Sequence, residues 1–101
     1  MAISTEVEIG SLLDKRPEIH HGRPIIAGTG ISVQNIAIHA RWGATPEEIA
    51  RNKYLTLAQV HAALAYYYAN KEQIDATIAE DEADYDKSEA EWRKMRAEGR
   101  A

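Results

Sequence analysis

Apolar positions along this chain come in short runs, each opened by a polar cap and closed by a break. Ser32 precedes Val33, Ile36, Ala37 and Ala40, which recur at i, i+3, i+4 and i+7 and predict one face of a helix running to about Trp42. Gly43 follows as a C′ residue. Thr45-Pro46-Glu47-Glu48 combines an N-cap threonine, a proline at the first helical position and a glutamate at N3, a capping box that opens a short helix to about Asn52. Thr56-Leu57-Ala58-Gln59 repeats the box with glutamine and opens a third helix whose stripe is Leu57, Val60, Leu64 and Tyr67. No Gly or Pro occurs between Pro46 and Gly99, which leaves the third helix free to continue to about Met95. Upstream, Pro24–Ala27 predicts a strand and Gly28-Thr29-Gly30 the turn after it. Glu6–Arg16, with Val7, Ile9, Leu12 and Leu13, reads as a strand or a single helical turn, ended by Pro17.

The expected fold class is mainly α. A trihelical body with a helix-turn-helix in its last two helices spans residues 1–70, with a short N-terminal β element, and a long helical extension covers residues 71–101. With 101 residues and neither Phe nor Cys, the chain has room for one modest core built from Ile, Leu, Val, Ala, Tyr and Trp. Cysteine-based staples and thiolate metal sites are excluded, and no run reaches the ~18 apolar residues of a membrane span. Its acidic N-terminus, with Glu6 and Glu8, does not resemble a signal peptide, so a cytoplasmic protein without a membrane partner is expected. Charge divides the chain. Residues 1–70 carry as many acidic as basic side chains, and the whole net charge of −4 comes from residues 71–101. Such an extension repels nucleic acid and suits a basic protein surface.

Little in the sequence points to catalysis or to a cofactor. Gly28-Thr29-Gly30 lacks both the third glycine of a dinucleotide fingerprint and the Gly-Lys-Ser/Thr of a Walker loop, and reads as a structural turn. His20, His21, His39 and His61 have no zinc-ligand spacing. No nucleophile–base set is suggested, so no catalytic, cofactor or metal residue is assigned, and an enzyme is not expected. The helix-turn-helix would present Gln59 and His61 to a groove, with Arg41, Arg51 and Lys53 near helix ends to grip phosphates. Of Tyr66-Tyr67-Tyr68 only Tyr67 lies on the apolar stripe, which turns Tyr66 and Tyr68 towards a partner. Along the extension Ile74, Ile78, Tyr85, Trp92 and Met95 form a sparse seam interrupted by Asp81 and Ser88, marginal alone and suited to a partner.

Three ordered motifs carry a family resemblance: Gly22-Arg23-Pro24-Ile25-Ile26-Ala27-Gly28-Thr29, then Gly43-Ala44-Thr45-Pro46-Glu47-Glu48-Ile49, then Leu55-Thr56-Leu57 through Tyr66. From Arg16 to Ala69 the chain resembles the domain-of-unknown-function family DUF433. The resemblance implies a homeodomain-like fold and the antitoxin role in a bacterial toxin–antitoxin pair, with a PIN-like ribonuclease toxin as usual neighbour. Many members carry Gly-Thr-Arg where this chain has Gly28-Thr29-Gly30; if that arginine contacts phosphate, its loss here weakens the case for DNA binding through the loop. The expectation is a homodimeric antitoxin that binds and neutralises a PIN-like toxin and represses its own operon by binding operator DNA. In such a dimer the Pro24–Ala27 strand would pair with its copy. The alternative is a stand-alone helix-turn-helix transcription regulator.

Overall fold

The structure is a computed structural model describing residues 6–97, with the side chains of 85–89, 92–93 and 95–97 left undescribed. Its fold is mainly helical. The chain divides into two units, Met1–Asn70 and Lys71–Ala101.

The first unit begins with a 3-10 turn at Ile9–Leu12 that leads directly into β1, Leu13–Lys15. Both alternatives open for this segment are therefore realised in sequence. A tight turn at His20–Gly22 precedes β2, Pro24–Ile26. The strands pair antiparallel, with Leu13 opposite Ile26, Asp14 opposite Ile25 and Lys15 opposite Pro24. On its other edge β2 meets the chain returning from its own turn: Ile26 N–H donates to Ile31 O at 2.8 Å and Ile25 bridges to Ser32. Both edges of β2 are thus occupied. Pairing of this strand with a second copy, expected from the sequence, is sterically closed because a strand has only two hydrogen-bonding edges.

Helix α1, Val33–Arg41, starts where Ser32 Oγ accepts from Asn35 N–H at 3.0 Å. Its end is a Schellman arrangement: Gly43, at φ +98°, donates to Ala40 O, and Ala44 donates to His39 O. Helix α2, Pro46–Lys53, has the expected capping box, Glu48 N–H to Thr45 Oγ1 and Thr45 N–H to Glu48 Oε1. Helix α3, Leu57–Ala69, opens on the same device built from Thr56 and Gln59.

The three helices pack on one another, with β1 and β2 against α3. Ile25, Ile26, Val33, Ile36, Ile49, Val60, Ala63 and Tyr67 are buried. Each large apolar side chain here contributes about 1.5–3 kcal/mol by leaving water. Leu57, expected in the stripe of α3, is instead 45% exposed, while Ala62 and Ala63 are buried. As the first residue of α3, Leu57 lies beyond the core, and α3 meets α1, α2 and the strands over an arc wider than one stripe.

The second unit is α4, Lys71–Ala97. One long helix from Thr56 onward is not formed. Asn70 leaves helical geometry at φ −127°, ψ 33°, and its side-chain Nδ2 donates to Tyr66 O at 3.0 Å. Tyr66 O also accepts from the backbone N–H of Asn70, so the side-chain amide is a second donor to that carbonyl, a local side chain-to-backbone bond of the kind that competes with continued helix. Along α4, Lys71 pairs with Asp75 at 2.7 Å, an exposed i,i+4 contact worth a few tenths of a kcal/mol.

Candidate partner-binding surface

The glycine loop after β2 is closed on itself. Thr29 Oγ1 donates to Ile26 O at 2.8 Å and accepts from Ile31 N–H at 3.1 Å. His20 Nε2 lies 2.7 Å from Gly30 O and ties the loop to the preceding turn. Thr29 N–H also goes to Ile26 O, so two of the loop's amides point into its own turn rather than outward to a phosphate. Gly28 holds φ +76°, a conformation that favours glycine.

The cations expected to grip phosphate sit at two helix ends. Arg41 and Arg51 are exposed and Lys53 is half-buried. The ends of α1 and α2 are electrostatically coupled: burial holds His39 below its ordinary pKa, and the charge of Lys53 adds to the effect. His39 meets Trp42 edge-on, with ring centroids 5.3 Å apart and planes at 86°. Gln59, expected to face a groove, has its amide oxygen engaged by Thr56 N–H at 2.8 Å. His61 is exposed on α3.

Sequence reasoning missed Tyr54 and Trp42. Tyr54 is 96% exposed and closes α2 in the left-handed region, at φ +58° and ψ +42°. Such a conformation disfavours an L residue by about 1 kcal/mol, and a side chain standing in solvent returns almost no packing energy. The signal was available: a capping threonine two residues on leaves no space for a gentler turn, and no Gly or Asn stands at 54 or 55. Trp42 is 76% exposed at the end of α1.

From Tyr54 the exposed surface continues along the outer side of α3 through Leu57, Ala58, His61, Ala65 and Tyr68. Among the described α-helices, α3 alone contains no Asp, Glu, Lys or Arg. The tyrosines of its last turns separate as their spacing requires. Tyr67 is buried and Tyr68 is 64% exposed. Tyr66 is half-buried, with Lys15 Nζ 5.9 Å from its ring centroid.

On α4, Ile74 is half-buried and Ile78 buried. The helix runs through Tyr85, Trp92 and Met95, whose side chains lie outside the described part of the structure. Glu72, Glu80, Glu82, Asp84 and Glu91 are exposed. Among the described residues, no three His, Asp or Glu side chains group as a metal would need, and no helix is long and apolar enough to cross a membrane.

Comparison with curated proteins finds no match. A crystal structure of a DUF433 member protein from Anabaena variabilis ATCC 29413 is similar, with 33% identity and a TM-score of 0.63 over 68% of this chain and 69% of that one. The model of the family described as "protein of unknown function (DUF433)" matches residues 14–67, which take in β1, β2 and the three helices of the body. With more than half of its length matched, the chain belongs to the DUF433 family.

Proposed function

We propose that this protein is a cytoplasmic antitoxin-type binding protein that neutralises a PIN-like ribonuclease and represses its own operon. It acts by binding, without catalysis or a cofactor. The observation that carries the reading is the set of exposed carboxylates on α4, Glu72, Glu80, Glu82, Asp84 and Glu91, joined to a body of zero net charge. A ribonuclease must present a positive surface to the phosphates of its substrate, and an acidic helix offers that surface a competing array of anions. The identity of the partner class rests on the resemblance of the three body motifs.

Co-expression with the product of the adjacent reading frame tests the proposal. The two should purify as one complex that suppresses the ribonuclease. Reversing Glu80, Glu82 and Glu91 to Lys in the full chain should weaken the complex and flatten its salt dependence. An unaltered complex would dismiss the acidic helix as the binding element.

A second reading, a stand-alone regulator of transcription, draws on the turn Tyr54–Thr56 between α2 and α3 and on Arg41, Arg51 and Lys53. It requires steeply salt-dependent binding to the protein's own promoter, lost in Arg51→Ala. Two features weigh against major-groove reading by α3: the helix has no cation, and Gln59 Oε1 is held in its own cap.

A further inference from the structure

We infer that the ends of α1 and α2 together form a platform for single-stranded nucleic acid, on which unpaired bases stack against Trp42 and Tyr54 while neighbouring cations hold the phosphates. Both helices close on one pattern, a basic residue, any residue, a second basic residue and an aromatic: His39-Ala40-Arg41-Trp42 on α1 and Arg51-Asn52-Lys53-Tyr54 on α2. In each the aromatic residue is the C-cap and stands in solvent, Trp42 76% exposed and Tyr54 96%. The helix dipole accounts for cations in a last turn. It gives no reason for two large rings to end these helices unburied. His39 reports the local field. It lies edge-on to Trp42, with ring centroids 5.3 Å apart, and it feels Lys53 across from α2: burial and then that charge lower its pKa, with no described carboxylate opposing them. The indole thus stands in a positive field that both helix ends share. From Arg23 to Asn70 the only acidic residues are Glu47 and Glu48, in the first turn of α2, and the Glu48 carboxylate is engaged in its own cap.

Exposed rings interleaved with cations select the ligand. An unpaired base offers a flat face to each ring, and its phosphate offers a charge to the adjacent cation. In a duplex those faces are covered by neighbouring pairs, and an acidic peptide brings charge without a flat partner for the rings. The acidic residues 71–101 oppose any nucleic acid at long range, so the affinity is modest and highest at low salt. The inference goes beyond the proposed ribonuclease complex and does not rest on it.

Fluorescence anisotropy of short labelled oligo(U) and oligo(dT) strands with the full chain at low salt tests it. Binding of one strand or both supports the proposal, and the ratio of affinities assigns RNA or DNA. The logarithm of Kd should change by about 1.4–2 per decade of salt, ~0.7 for each of two or three phosphates. Trp42→Ala should weaken binding by about tenfold or more and Trp42→Phe far less, since phenylalanine keeps a stacking face. Tyr54→Gly should also weaken it with circular dichroism unchanged, which separates stacking from folding. Lys53→Ala should lower the salt slope by the share of one phosphate. Absence of binding to both strands would overturn the proposal, as would Trp42→Ala and Tyr54→Gly variants that bind like the wild type. So would equal affinity for a duplex of the same length or for a poly-glutamate peptide, since the cations alone would then account for the contact.

Discussion

At the scale of single residues, backbone conformation separates positions that composition treats alike. Gly28 and Tyr54 both hold positive φ, at +76° and +58°, but only one of them is a glycine. Replacing Gly28 with Ala should lower the unfolding free energy by about 1 kcal/mol, because its φ disfavours any Cβ even where there is space for one. Tyr54→Gly should raise it by about 0.5–1 kcal/mol. Urea titrations at low protein concentration, where association does not contribute, would read both signs. Gly30 differs again: its φ is not left-handed and a Cβ would meet no atom within 4 Å. Gly30→Arg, which adds a cation to the loop, should change stability by less than about 0.5 kcal/mol. Any DNA affinity it adds would show how far this loop can act as a phosphate clamp.

At the scale of elements, two capping boxes and one charge coupling set the behaviour with pH and mutation. Thr56→Ala removes the acceptor for Gln59 N–H and should cost about 1 kcal/mol in a urea titration. Glu48 is held below the ordinary glutamate range, first by the backbone N–H of Thr45, then by its side chain, with Arg51 adding to the effect. A depressed carboxylate binds fewer protons folded than unfolded. Its stabilisation is therefore present above the unfolded-state pKa and lost as pH falls through the folded value. Glu48→Gln should remove that part of the acid dependence of the urea midpoint. His39 follows the same sign from a different cause. Desolvation lowers its pKa first and Lys53 second, so the fold favours the neutral ring and stability declines as pH falls from the unfolded value to the folded one. Lys53→Ala should move the His39 titration upward in an NMR pH series. An unmoved titration would show that the ends of α1 and α2 do not share a field.

At the scale of the whole molecule, local grammar was legible and the use of surfaces was not. Ser32, Thr45 and Thr56 act within three residues of themselves, so each helix start could be read directly from the chain. The order of motifs from Gly22 to Tyr66 was likewise enough to point to the family that the comparison establishes. Asn70, where α3 ends, also acts locally, its side-chain amide reaching back four residues to the carbonyl of Tyr66, but nothing in the run of helix formers marks it as a stop. Exposures depend on longer reach. Leu57 and Tyr67 share a predicted stripe, yet one lies outside the core and the other inside it, a distinction set by where α1, α2 and the strands meet α3. Among the candidate readers and grips, Gln59 turned out to be engaged in its own cap, and the strained Tyr54 carried no mark in any pattern of hydrophobicity. By itself, then, the sequence determined the helix starts, the neutral body with its acidic extension, and the family. Those depend on neighbours along the chain and on summed charge. Tertiary structure decided which edges of β2 are closed, which polar groups are already engaged, and which uncharged face of α3 is left in water, because each depends on segments distant in sequence arriving at one place.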